Sequence, residues 1–152
     1  MEVILRRTLE EATVLAARTI SRLVHEKPNA VLGLATGSTP LLLYHELVRL
    51  HREQHLDFSQ VTTFNLDEYV GLGPDDPRSY HHFMREHLFR HVNIAAERSH
   101  IPDGLARDIP SFCARYEKEI IAADVRRRTP VAEPVQSASL LRRLQITSAA
   151  AV

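Results

Sequence analysis

The feature that most constrains the fold is a short apolar run that ends in a glycine turn and leads into an amphipathic stretch. Residues 30–35, "AVLGLA", are followed by "TGSTP" and then by leucines at helical spacing, Leu43, Leu47 and Leu50. A continuous apolar run of this length is typical of a strand that is buried on both faces. The pattern therefore predicts a strand, a tight turn and a helix in succession.

A second run of the same kind lies further along the chain. Residues 58–65 end in the β-branched and aromatic sequence "VTTFN" and lead into the acidic pair Asp67 and Glu68. Ser79 and Pro110 suit the first positions of two later helices, because a serine hydroxyl caps free N–H groups and proline has no N–H to leave unpaired. Strands that alternate with helices predict an α/β fold, with a parallel sheet covered by helices.

A helix is also predicted before the first strand, over residues 10–25. Apolar side chains recur there at helical spacing, and the face predicted to be buried comprises Ala12, Ala16, Ile20 and Leu23.

Charge and glycine content divide the chain into two segments. The formal net charge of the 152 residues is zero, which argues against nucleic acid or an anionic membrane as a partner. Residues 1–124 carry a net charge of −4 and contain all five glycines, whereas residues 125–152 carry +4. We predict that 1–124 forms the folded domain and that 125–152 is a poorly ordered basic tail. The tail is either a solvated extension or a segment that binds an anionic partner.

The compartment is predicted from the single cysteine and the absence of a long apolar segment. Cys113 cannot form an internal disulfide, which suits a reducing environment. No run approaches the ~18 apolar residues of a membrane span, and the charged amino terminus does not resemble a signal peptide. These observations predict a cytoplasmic protein.

The turn after the first predicted strand, Thr36 to Thr39 in "TGSTP", is a candidate anion-binding site. Gly37 permits a turn that a Cβ would strain, Thr39 can cap the next helix, and Pro40 suits its first position. Free N–H groups at a helix amino terminus bind phosphate well. The pattern lacks the lysine of a P-loop, so a plain turn and cap explains it equally well.

The acidic pair is the second candidate site. Asp67 and Glu68 follow an extended run, so their side chains should leave on opposite sides and only one should face a ligand. Open α/β sheets bind ligands at the carboxyl ends of their strands. A carboxylate there could remove a proton next to a carbonyl if its pKa were raised by burial or by a neighbouring charge. Two solvated loop acids would give the same sequence pattern.

Metal binding is not predicted. His87 and His91 lie four apart on a predicted helix, but the sequence fixes no third ligand near them.

Three segments together resemble the glucosamine-6-phosphate deaminase (isomerase) family: "LGLATGSTPLLLYHELV", "VTTFNLDEYVGL" and "SYHHFMREHLFRHV". The resemblance extends from residue 1 to about 123, and 6-phosphogluconolactonases match it less well. It implies a doubly wound, mainly parallel, Rossmann-like sheet with helices on both faces. The implied reaction is ring opening, aldose-ketose isomerisation and release of ammonia from glucosamine 6-phosphate, giving fructose 6-phosphate, without a cofactor.

By the same resemblance, individual residues acquire roles. Asp67 corresponds to the base that moves the C2 proton towards C1, and Glu68, which adjoins it in the motif, is also expected to be catalytic. Thr36, Gly37, Ser38 and Thr39 correspond to the loop that surrounds the sugar phosphate. The partner implied is a small sugar phosphate, with a homo-oligomer as the assembly.

The sequence also departs from the family pattern. Members continue with a glycine-rich strand and an Asp-Gly-His motif that opens the sugar ring, whereas here no glycine follows Gly104 and no histidine follows His100. This predicts the amino-terminal half of a deaminase joined to unrelated sequence, through a frameshift, an early stop or processing, with impaired activity. The alternatives are a non-catalytic product that binds sugar phosphates weakly and a lactonase-like hydrolase.

Overall fold

A three-stranded parallel sheet forms the centre of the protein in the computed structural model, which describes residues 4–125. Its strands are β1 (Val31–Leu34), β2 (Thr62–Asn65) and β3 (Ser99–His100), in that spatial order. Both strand pairs are parallel, and the register aligns Leu34 with Asn65 and Phe64 with His100. The carboxyl ends of β1 and β2 therefore lie side by side.

Within residues 4–125, four α-helices surround the sheet: α1 (Leu9–Glu26), α2 (Leu41–Gln54), α3 (Tyr80–His87) and α4 (Ile109–Val125). Short 3-10 turns occupy Phe89–His91 and Ala96–Arg98. Side-chain oxygens cap two of the helices, because Thr8 accepts from the Glu11 N–H at the start of α1 and Ser79 accepts from the His82 N–H at the start of α3. The capping role predicted for Ser79 is confirmed.

One face of the sheet forms the main hydrophobic core. Leu32 and Leu34 point to this face and pack with side chains from α1, α2 and α3 and from the α2–β2 connection. The buried members that these elements contribute include Ala17, Val24, Tyr44, Leu47, Leu50, Leu56, Phe58, Met84 and Leu88.

The opposite face of the sheet is covered by α4. Successive strand residues point to opposite faces of the sheet, so the Phe64 side chain lies on the face opposite that of Thr63. The Phe64 ring stacks on His100, with centroids 4.4 Å apart, and meets Tyr116 of α4 edge-on at 5.8 Å. Helices thus cover both faces of a parallel sheet, which confirms the predicted fold class.

Some sequence predictions are corrected by the structure. Strand β3 was not predicted from the sequence. In α1 the buried residues are Ala17 and Val24, whereas Ala12 and Leu23 are exposed, so the predicted face is rotated by about one residue.

Three further findings concern the predicted tail, the prediction that no segment spans a membrane, and Cys113. The 125–152 tail lies outside the described residues, apart from Val125 at the end of α4. Within residues 4–125, no helix is long and apolar enough to cross a membrane. Cys113 is partly buried on α4, where burial raises the pKa of its thiol.

Candidate active site

Two loops that leave the carboxyl ends of β1 and β2 form the candidate site. Since Leu34 is aligned with Asn65, Thr36 and Asp67 each follow the aligned pair by two residues. The loop that contains Thr36, Gly37, Ser38 and Thr39 therefore emerges beside the acidic pair. This edge of a parallel sheet is where open α/β folds bind ligands.

The end of β1 is held in place by side chains from two other elements. The Tyr44 hydroxyl, on α2, donates a hydrogen bond to the Ala35 carbonyl. The Asn65 amide, at the end of β2, donates to the Leu34 carbonyl at 3.1 Å. These contacts fix the backbone immediately before Thr36, so the loop begins from a rigid support.

The loop itself turns at a glycine and is accessible to solvent. Gly37 has φ of +107°, a conformation that L side chains rarely adopt, and Gly37, Ser38 and Thr39 are all exposed. The predicted cap is wrong, however, because Pro40 is the N-cap of α2 and no side chain of residues 4–125 caps that helix. Within this part of the chain, the amino terminus of α2 therefore has no side-chain partner, as a ligand site would require.

Glu68 points into the protein and is almost fully buried, with 2% of the residue exposed. One carboxylate oxygen accepts the N–H groups of Tyr69 and Tyr80, at 2.8 and 2.9 Å. The other accepts the His81 N–H at 3.1 Å and lies 2.9 Å from the His81 Nδ1. The carboxylate thus binds the free N–H groups at the start of α3, where the helix dipole favours a negative charge.

Asp67, the residue before Glu68, is half-buried. Burial raises the pKa of its carboxyl group, and the negative charge of Glu68 raises it further. A raised pKa makes a carboxylate a better proton acceptor near neutral pH. The two acids therefore differ in environment, as their alternation along the chain predicted.

Tyr80 is a residue of the candidate site that the sequence analysis did not identify. Its hydroxyl donates to the Tyr69 hydroxyl at 3.3 Å, and the two rings have centroids 4.9 Å apart. The hydrogen bond with Tyr69 and burial raise the pKa of Tyr80 to about 12, while a hydrogen bond with the Thr36 side chain lowers the pKa. The negative charge of Asp67 also raises the pKa of Tyr80.

A third loop, which follows β3, is hydrogen-bonded to the loop that follows the acidic pair. The Gly71 N–H donates to the Gly104 carbonyl at 2.7 Å, which joins the loop after Asp67 to the loop after β3. A Cβ on Gly104 would meet the carbonyl oxygens of Tyr69 and Leu72 closer than 3.0 Å. Close backbone packing therefore requires glycine at position 104.

Among residues 4–125, no three His, Cys, Asp or Glu side chains converge in a way that could hold a metal ion. His91 instead contacts Arg52 and the Glu86 carbonyl.

Comparison with known proteins identifies the family. Residues 6–136 match the model of the family described as glucosamine-6-phosphate isomerases/6-phosphogluconolactonase. A glucosamine-6-phosphate deaminase of Thermoanaerobacter sp. (strain X514) is 51% identical over 120 residues, which cover 79% of this chain and 47% of that protein. Glucosamine-6-phosphate deaminase 1 of Giardia intestinalis is 58% identical over 106 residues, which cover 70% of this chain and 40% of that protein. The chain thus spans about half the length of the curated relatives that it matches.

Solved structures agree with this result. A monomeric glucosamine-6-phosphate deaminase superimposes with a TM-score of 0.79 at 45% identity, covering 82% of this chain and 52% of the other. A 6-phosphogluconolactonase of Thermotoga maritima shares the fold, with a TM-score of 0.63 at 24% identity, covering 80% of this chain and 53% of the other. The chain belongs to the glucosamine-6-phosphate isomerase/6-phosphogluconolactonase family, and its near relatives are glucosamine-6-phosphate deaminases.

Proposed function

We propose that this chain carries the proton-transfer half of a glucosamine-6-phosphate deaminase site. The single observation that carries the proposal is the environment of Asp67, a half-buried carboxyl with a raised pKa at the carboxyl end of β2, beside the loop of residues 36–39. The loop, with its exposed backbone and hydroxyl groups, would hold the sugar phosphate. A cytoplasmic location and assembly into a homo-oligomer remain predictions.

In the proposed reaction, Asp67 acts on the open-chain amino sugar. The carboxylate takes the C2 proton, the C2–H electron pair forms a C1–C2 double bond, and the C1 carbonyl oxygen gains a proton. Return of a proton to C1 then leaves a hydroxymethyl group there, while the nitrogen lone pair forms a C2 iminium. Water then replaces the iminium nitrogen, so that glucosamine 6-phosphate and water give fructose 6-phosphate and ammonia.

The proposal assigns no ring-opening residue to this sequence, since no Asp-Gly-His segment follows residue 100. We therefore expect ammonia to be released from glucosamine 6-phosphate only as fast as the sugar opens spontaneously. Loss of a general acid or base costs roughly 10²–10⁴ in rate.

The test separates proton transfer from ring opening. Fructose 6-phosphate and ammonium chloride are incubated with the purified chain in D2O, so that the C2 iminium of the proposed reaction forms, and exchange of a C1 hydrogen for deuterium is followed by NMR. Exchange depends on a base but does not require the ring-opening residues, because the ketose opens by itself. We expect exchange with the unmodified chain and none above background with Asp67→Asn. Equal exchange in the two proteins would remove Asp67 from the reaction.

A further inference from the structure

We propose that Glu68 is a positioning residue, whose buried carboxylate fastens the Asp67 loop to the amino terminus of α3 and sets the electrostatic environment of Asp67. This inference rests on the proposed function, because it concerns how Asp67 is held for proton transfer. It replaces the catalytic role for Glu68 that the family resemblance implies.

The contacts of Glu68 exclude direct contact with a ligand. Four N–H donors surround the two oxygens: three backbone groups, from Tyr69, Tyr80 and His81, and the His81 ring. The side chain of Glu68 is 1% exposed, whereas that of His81 is 30% exposed. A substrate cannot reach an oxygen that is enclosed and already paired in this way.

The same contacts determine where Asp67 lies. Glu68 is the next residue in the chain, and its partners Tyr80 and His81 begin α3, twelve and thirteen residues later. The Glu68 carboxylate is therefore a cross-link between the reactive loop and a helix that Met84 and Leu88 anchor in the core. Because a misplacement of ~1 Å can cost a reaction about 10²-fold in rate, such a cross-link bears directly on proton transfer.

The charge of Glu68 has a second consequence. Its negative charge adds to the effect of burial on the neighbouring carboxyl of Asp67. Among the described residues, Tyr80 also interacts electrostatically with Asp67, but its phenol is neutral at physiological pH. Glu68 is thus a charged neighbour of Asp67 that a substitution can remove without altering the reacting group.

Two substitutions separate the cross-link from the charge. Glu68→Gln keeps the length of the side chain but removes its charge and directs an NH2 group at two of the donors. Glu68→Asp keeps the charge but is one methylene too short to reach the same donors. His81→Ala removes one of the four contacts, leaves the three backbone donors in place, and serves as the mild variant if Glu68→Gln does not fold.

The experiment measures two quantities in each folded variant: the titration of Asp67 by ¹³C NMR of its carboxyl carbon, and C1 deuterium exchange into fructose 6-phosphate. We expect Asp67 to titrate at lower pH in Glu68→Gln than in the unmodified chain and close to its original pH in Glu68→Asp. Exchange should fall by at least roughly tenfold in both, and by a smaller factor in His81→Ala.

A purely structural role for Glu68 would leave the Asp67 titration unchanged. Unchanged exchange and titration in the folded variants, beside an active parent chain, would overturn this inference while leaving the proposed function intact. Absence of exchange in the parent chain would overturn the proposed function itself, and with it the positioning role of Glu68.

Discussion

The hydroxyl of Tyr116 lies 2.8 Å from the carbonyl oxygen of Asn65, a residue 51 positions earlier in the chain. The same hydroxyl is 3.0 Å from the His100 carbonyl, so one buried phenol joins α4 to the ends of β2 and β3. Asn65 in turn binds the end of β1 through its side chain. The three strand ends that support the candidate site are therefore connected through two side chains.

We predict that Tyr116→Phe destabilises the fold by about 1–2 kcal/mol, because a buried carbonyl loses its partner while the aromatic packing is kept. Phe64 still meets the ring edge-on in the variant. Urea denaturation followed by circular dichroism measures the change. An unaltered midpoint would mean that the hydroxyl contributes nothing to joining α4 to the strand ends.

Gly104→Ala is predicted to destabilise the protein by about 1–3 kcal/mol, the usual cost of forcing an extra methyl group into a packed site. The added Cβ would collide with backbone oxygens of Tyr69 and Leu72, which cannot rotate away as a side chain could. Gly73→Ala is the matched control, because the nearest atom to its added Cβ is a Leu105 side-chain carbon at 3.5 Å, an ordinary contact. Thermal unfolding of the two variants should differ clearly, and similar melting temperatures would contradict the predicted close approach.

Thr63→Val is predicted to stabilise the protein by about 1 kcal/mol. Thr63 is fully buried on β2, and within the described residues its hydroxyl finds no hydrogen-bond partner. Replacing an unpaired buried hydroxyl with a methyl group removes a desolvation cost and keeps the side chain's shape. The reverse change at a fully buried neighbouring site, Val61→Thr, should destabilise. Denaturant midpoints test both, and a loss of stability in Thr63→Val would reveal a partner for the hydroxyl.

The main elements of the fold were predictable because their signals are local. The apolar run of residues 30–35 and the β-branched run before Asn65 identify β1 and β2, and Ser79 identifies the start of α3. Strand β3 has only two residues, Ser99 and His100, which is too short for any alternation to appear.

The role of a loop residue depends on contacts that the sequence does not display. Asp67 and Glu68 are equivalent as neighbouring acids, but the partners of Glu68 lie on α3, and its burial follows from them. In the same way, nothing in the sequence around Tyr80 shows that its hydroxyl donates to the Tyr69 hydroxyl near the candidate site. The predicted cap of α2 was wrong for a related reason. Thr39 and Pro40 are both acceptable at a helix start, and only the backbone angles decide which of them is the N-cap.

The last prediction concerns the pH dependence of stability. The folded-state pKa of Asp67 is raised above its ordinary value of 3.8, so between these two values the folded protein binds more protons than the unfolded chain. Ionisation of this carboxyl group therefore lowers the free energy of unfolding increasingly as pH rises through that window. The reduction in stability persists at neutral pH. Asp67→Asn removes the cost, so the variant should gain stability relative to the parent above the window and lose this advantage below pH 3.8. The gain should be at most about 1 kcal/mol, because solvent screens a half-exposed carboxylate.

Asp76→Asn is the control of opposite sign. The hydrogen bonds from Arg78 lower the pKa of Asp76 to about 2, so this carboxylate contributes stability above its ordinary pKa and loses it as pH falls. Removing it should slightly destabilise the protein at neutral pH, whereas removing Asp67 should stabilise it. Urea unfolding of both variants and the parent at several pH values between 3 and 7 measures these differences. A neutral-pH loss of stability in Asp67→Asn would show that the Asp67 charge is favourable in the folded protein, and that its environment is not the one expected of a proton acceptor.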